Sequence, residues 1–95
     1  YKEIENLWAK VYGKIGEREV KKEINCIVKT LKGWEDAGSN IDTGRTISIM
    51  SQMINGGLIN KWGVFAPEAV IPHEEFLKEL NKREMFVYLD GRKIN

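Results

Sequence analysis

The sequence is poor in the residues that build most ligand and metal sites. Its 95 residues include one cysteine, Cys26, and one histidine, His73. A lone thiol excludes an internal disulfide framework, and with one imidazole beside it no cluster can close a zinc site. Net charge is also lacking: fifteen basic residues face fourteen acidic ones, for a formal +1. That balance is too even for a protein whose affinity depends on neutralising many phosphates, so nucleic acid is not an expected partner. No apolar run approaches the roughly 20 residues of a bilayer span, and no membrane association is expected. The opening residues, Tyr1-Lys2-Glu3-Ile4-Glu5-Asn6, lack the basic head and apolar stretch of a signal peptide and do not begin with Met. The chain is therefore read as an excised or processed segment, and a reducing, cytoplasmic setting is expected.

What is present is ordinary globular material, 42% apolar and 31% charged. A chain of this length supports a single domain over residues 1–95 with one modest core, burying about two-thirds of its unfolded surface. Leu7, Ala9 and Val11 alternate with Trp8, Lys10 and Tyr12, the period of two of a half-buried strand. Val20, Ile24, Cys26 and Val28 repeat the pattern, interrupted by Lys22. Gly13 and Gly16 bracket a turn between the two runs, which predicts an antiparallel hairpin with a charged loop of about four to six residues within Lys14 to Glu19. Lys29 to Asn40 contains Gly33, Gly38, Ser39 and Asn40 and reads as a connecting loop, with Trp34 folded on the core or lying in a cleft.

Asp42 or Thr43 then supplies a helix cap. Ile47, Met50 and Ile54, with Ile49 and Met53 beside them, form a broad apolar face at helical spacing. Gly56 and Gly57 stop the helix. Trp62 to Ala66 reads as a turn or extended segment, because Pro67 bars an αR conformation at Ala66. Pro72 at a first helical position opens a second helix, with Glu74 and Glu75 in its positive first turn. Phe76, Leu77 and Leu80 form the buried face of this helix, and Lys82 and Arg83 complement its C-terminal end. Met85 to Leu89 is a last strand closed by an Asp90-Gly91 turn. The expected order is β-β-α-α-β: an α/β chain of the α+β type, with a mixed or antiparallel sheet, a β-hairpin and both helices packed on one face.

Residues that invite a chemical role each have a plainer one. His73 lacks the second histidine one turn on that a zinc helix needs, since Leu77 stands there. Cys26 lies in an apolar strand pattern and reads as core. Met50 and Met53 belong to an apolar helical stripe. Lys21, Lys22, Lys29 and Lys32 are interspersed with Glu19 and Glu23 and form a solvated hairpin face rather than a phosphate track. Trp8, Trp34 and Trp62 exceed what so small a core needs, which places at least one at an interface.

Several segments in order carry a family likeness: Thr43-Gly44, the Ile47 to Ile54 helix, Gly57-Leu58-Ile59, Gly63-Val64-Phe65-Ala66-Pro67-Glu68, Phe76-Leu77-Lys78-Glu79-Leu80 and Met85-Phe86-Val87. Together they resemble the C-terminal part of the saccharopine dehydrogenase family and its saccharopine-dehydrogenase-like oxidoreductase relatives. In that family a TG-x-P helix start, an apolar helix, a G-x-I turn, GVL-x-PE, an F-x-x-x-L helix and a last strand follow a hairpin. Counting the hairpin, the likeness covers most of the chain. Thr46 and Ile47 depart from it, standing where the family pattern has Pro and a small residue.

The resemblance implies a C-terminal substrate-cleft and dimerisation domain of an NAD(P)-dependent oxidoreductase acting on CH-NH bonds of an amino-acid-like substrate. It implies a homodimer and a partner N-terminal dinucleotide-binding domain that holds NAD or NADP. No G-x-G-x-x-G occurs here, and Gly13-Lys14-Ile15-Gly16 has the wrong spacing. This chain is therefore expected to bind no cofactor by itself, and no catalytic residue is assigned to it. Thr43, Gly44 and Arg45 are the candidate substrate-binding residues: a helix start presents unpaired N–H groups, and a guanidinium adds a bidentate contact to a carboxylate. Asp42 opposes an anion there, and a Thr-Gly pair also serves simply as a cap. The alternative to the oxidoreductase reading is a binding or dimerisation module, with a strand of the hairpin or Met85 to Leu89 pairing with a second copy. A small nucleic-acid binder using Trp8, Tyr12 and the hairpin lysines is the third and weakest reading.

Overall fold

The long alternating runs at the start of the chain zip into two strands, β1 (Ile4–Ile15) and β2 (Arg18–Lys29), in a computed structural model that describes residues 3–36 and 41–95. They pair antiparallel in one unbroken register from Ile4↔Lys29 to Ile15↔Arg18. The loop is Gly16-Glu17 alone, shorter than the sequence predicts. Gly16 supplies a φ of 63° at the first loop position, as in a type II′ turn, whose twist matches that of the flanking strands. The charges that suggested a frayed tip face each other across the ladder, with Lys14 opposite Glu19.

The C-terminal strand β3 (Met85–Leu89) pairs antiparallel with β2, and β4 (Arg92–Lys93) adds a short fourth strand, in the order β1-β2-β3-β4. The sheet is thus wholly antiparallel. The Asp90-Gly91 turn has φ values of 49° and 79°, the left-handed pair that a type I′ hairpin requires. Asp90 also extends the ladder: its N–H donates to the Glu23 carbonyl at 2.8 Å, and its Oδ1 accepts the Glu23 N–H at 2.9 Å. Asn95 closes the other side of β3, its Oδ1 accepting the Val87 N–H at 2.9 Å and its amide donating to Met85 and Leu77 carbonyls at 2.9 and 3.2 Å. Both structures at the β3 end tie off backbone groups that an open edge would expose.

Between the hairpin and β3 lie helices α1 (Ile41–Asn55) and α2 (His73–Lys82) and a 3-10 turn, Pro67–Ala69. Helix α1 begins at Ile41, so Asp42 and Thr43 sit inside its first turn rather than capping it; Gly38, Ser39 and Asn40 lie outside the described residues. Its end is a Schellman motif. Gly57 has φ 77°, the Leu58 N–H donates to the Met53 carbonyl at 2.9 Å, and the Gly57 N–H donates to the Ile54 carbonyl at 3.1 Å. Pro72 is the cap of α2, one position before the first helical residue, and its carbonyl accepts the Phe76 N–H at 3.0 Å. Ala66 is extended at φ −65° and ψ 137°, as the following proline demands.

Register decides what the helices cover. Cys26 and Val28 stand opposite Val87 and Met85 on one face of the sheet, and both helices pack there. The core is Val28, Ile49, Met53, Leu80, Met85 and Val87, with Cys26, Ile59, Ile71, Phe76 and Leu77 packed around it. Within α1 the buried line is Ile49–Met53, one helical turn apart, while Ile47 and Ile54 are exposed. The broad apolar face expected from sequence therefore splits, because α1 meets the sheet along one line and none of the described residues covers the other. The hairpin runs on past the helices, leaving Leu7, Val11, Ile15 and Ile24 exposed on the helix-bearing face.

That division fixes an expected outcome. Ile49→Ala opens a cavity at a side chain 1% exposed and should lower stability by about 2–5 kcal/mol, whereas Ile47→Ala, at 56% exposed, should change it by about 0.5 kcal/mol or less. Urea unfolding of both variants measures the contrast.

Candidate functional site

The first turn of α1 meets the C-terminal end of α2, and the segment after β2 folds over the junction. Leu31 accepts the Trp34 N–H at 3.0 Å in a turn that carries Gly33 at φ 85°, and this swings the Trp34 indole to one wall. The result is a cleft of about 710 Å³ lined by Trp34, Gly44, Arg45, Ser48, Lys82 and Arg83 among others. Its size falls in the range of small-molecule sites.

Of the three candidate substrate-binding residues, Gly44 and Arg45 line this cleft. Thr43 does not. It is exposed, and its N–H and hydroxyl both turn to Asp42 Oδ1, at 2.6 and 3.3 Å. Arg45 reaches across to α2, where Nη1 donates to the Arg83 carbonyl at 2.7 Å and so satisfies one of the carbonyls left unpaired at that helix end. Its Nη2 is screened from water with no partner among the described residues. Burial pushes the guanidinium pKa down, and the Glu84 and Asp42 carboxylates pull it back toward its usual range.

The other cations of the cleft are already engaged. Glu79 binds Lys82 through Oε1 at 2.6 Å and Arg83 through Oε2 at 2.6 Å, and Arg83 also donates to the Glu79 carbonyl at 2.9 Å and to Gln52 Oε1 at 3.2 Å. Hydrogen bonds from Lys82 and then Arg83 hold the Glu79 carboxyl below its ordinary value. One carboxylate is thus shared between two cations, while Arg45 has no carboxylate bound to it among the described residues. The arrangement suits an anionic group lying against Gly44 and Arg45 with an apolar portion on Trp34. Lys82 and Arg83 were legible in sequence only as complements to a helix dipole. Their place in the cleft follows from the crossing of α1 and α2, for which no local pattern gives a signal.

The remaining candidates keep plain roles. His73 Nε2 lies 3.2 Å from the Glu68 carbonyl on the surface. Burial, with the Asp42 carboxylate as a second cause, pushes the Cys26 thiol up, away from the thiolate a nucleophile needs. Among the described residues no group of three or more His, Cys, Asp and Glu could hold a metal ion, and no helix is long and apolar enough to cross a membrane. Trp8 and Trp62 are exposed like Trp34, at 57% and 96%, so all three indoles lie outside the core. No protein-family model matches the sequence, and no solved structure matches the chain.

Glu79 gives the cleft a pH dependence. Its folded-state pKa lies below the ordinary 4.5, so the stability it adds is complete above about pH 4.5 and is lost as pH falls through the lowered value. Glu79→Gln should lower the thermal midpoint at neutral pH and flatten its decline in acid. A carboxyl NMR titration that placed Glu79 at or above 4.5 would contradict this assignment.

Proposed function

We propose that this chain is the C-terminal substrate-cleft and dimerisation domain of an NAD(P)-dependent, saccharopine-dehydrogenase-like oxidoreductase, with the nicotinamide held by a separate dinucleotide-binding domain. The observation that carries the reading is Arg45: the residue that follows the Thr43-Gly44 pair lines a cleft of small-molecule size. In this reading Arg45 and the amides of the first turn of α1 hold a carboxylate of an amino-acid-like secondary amine, and Trp34 covers its carbon chain. Thr43 acts through the backbone turn and not by direct contact, since its donors are taken by Asp42.

Exposure elsewhere supports a domain that works against other protein surface. Trp62 and Val64 are almost wholly exposed, Phe65 is about half exposed, and Ile47 and Ile54 form a second uncovered apolar line on α1. Apolar side chains left open in this number mark contact surfaces. The competing reading, a binding or dimerisation module without chemistry, is favoured by one observation: among the described residues no strand pairs with the outer edge of β1.

Two measurements separate these readings. Sequencing the coding DNA upstream of the Tyr1 codon should reveal an in-frame strand followed by a G-x-G-x-x-G turn; a start codon immediately before Tyr1 would remove the oxidoreductase reading. In the product of the whole gene, nicotinamide fluorescence should report turnover of a carboxylate-bearing secondary amine. Arg45→Ala should then raise KM by about tenfold to a hundredfold with a smaller effect on kcat, the loss of one charge-assisted hydrogen-bonding partner. An unchanged KM would take the carboxylate away from Arg45.

A further inference from the structure

The sheet has two edges of very different character. On one side β4 is a two-residue strand, Arg92–Lys93, and Asn95 continues the closure of β3. On the other, β1 is twelve residues long, regular throughout, and free of proline and of any break in register with β2. Charged blunting, bulges and prolines are how monomeric sheets guard such an edge, and β1 has neither proline nor bulge, its charges being Glu5, Lys10 and Lys14. The direction of its free backbone groups follows from the hairpin. A two-residue loop makes Ile15 and Arg18 its closing hydrogen-bonded pair, so odd-numbered residues of β1 direct their amides toward β2, as the Glu3 carbonyl does toward the Thr30 N–H at 3.2 Å. The even-numbered residues, Asn6, Trp8, Lys10 and Tyr12 among them, direct theirs outward.

We propose that β1 pairs antiparallel with β1 of a second copy of this chain about a two-fold axis at Ala9, joining the two sheets into one. The pattern of side chains selects both the occupant and the register. A two-fold axis perpendicular to the sheet keeps each face continuous, so like-facing residues must meet and the two numbers of each pair must add to an even sum. An axis at Lys10 sets ammonium against ammonium. An axis at Trp8 or at Val11 shortens the overlap. An axis at Ala9 pairs Ile4 through Lys14 with Lys14 through Ile4 and opposes no like charges. On the helix-bearing face it sets Leu7 against Val11 of the second copy. On the other it sets Trp8 against Lys10, the same cation-on-indole contact that the single chain makes at 4.7 Å, and Asn6 against Tyr12. Leu7, Trp8, Val11 and Tyr12, exposed at 47%, 57%, 63% and 71%, are thereby covered together.

The pairing gives the dimerisation half of the proposed function a geometry and rests on no part of its substrate half. Ala9 and its neighbours lie away from the Arg45 cleft, so loss of the dimer and loss of carboxylate binding are read by different measurements.

Sedimentation equilibrium of the 95-residue chain should show a reversible dimer. Ala9→Glu and Ala9→Lys, each placing like charges on the axis, should each raise the dissociation constant by at least about tenfold, and an equimolar mixture of the two should restore a dimer. Because the mixture rescues association, a misfolded variant is distinguished from a repelled one. In a Cys26→Ser background, Ala9→Cys should oxidise to a covalent dimer, while Leu7→Cys, displaced from the axis, should not. A chain that stays monomeric at every concentration overturns the proposal. So does a dimer indifferent to both charges at position 9, or one that cross-links through Leu7→Cys in place of Ala9→Cys.

Discussion

The burial of Ile49 and Met85, each about 1% exposed, is the contact on which the rest of the domain depends. Met85 sits opposite Val28 in the β2–β3 ladder, and Ile49 belongs to the same cluster from α1, so sheet and helices share one small core. Six side chains with a partly buried ring around them are modest for a chain of this length. The core can organise only what lies directly over β2 and β3. What lies beyond it, the outer half of the hairpin and the Trp62 to Phe65 segment, keeps its apolar groups in the open.

This limited reach also makes the cleft. The helices cross over the sheet so that the start of α1 abuts the end of α2, where both present unpaired backbone groups. Arg45 resolves part of that problem by donating to the Arg83 carbonyl, and the Glu79 carboxylate resolves another part by joining Lys82 and Arg83. The same groups that finish two helix ends therefore leave a cationic wall beside an indole. Arg45 has a structural role there: one amino group supports the fold, and the other has no partner among the described residues.

Much of the architecture was legible because its signals are local. The alternation of Leu7, Ala9 and Val11 with Trp8, Lys10 and Tyr12 reports a strand directly, and Gly57 beyond an apolar helix reports the left-handed stop that the Schellman bonds complete. The misreadings were also physical. Charges at the hairpin tip resemble a solvated loop until the register sets Lys14 opposite Glu19, and Pro72 satisfies the helix start equally well one position earlier. The apolar residues of α1 could not be sorted into buried and exposed lines, because periodicity states that a helix has an apolar face without stating how wide a surface its partner offers. Met85 to Leu89 was a candidate edge for the same reason. It proves to be interior, flanked by β2 and β4, so β1 holds the long open edge.

Alone, the order of residues determined the α+β character, the hairpin, the two helices and the absence of charge, thiol and imidazole clusters, since each rests on neighbours within a few positions. The tertiary structure decided which residues meet. It brought Arg45 to Arg83 and separated Thr43 from the cleft; it put Ile49 inside and Ile47 outside; and it placed β1 at the edge of the described sheet. Those outcomes depend on crossing and register, which arise when distant segments compete for one small core, and no span of sequence short enough to show a period contains that competition.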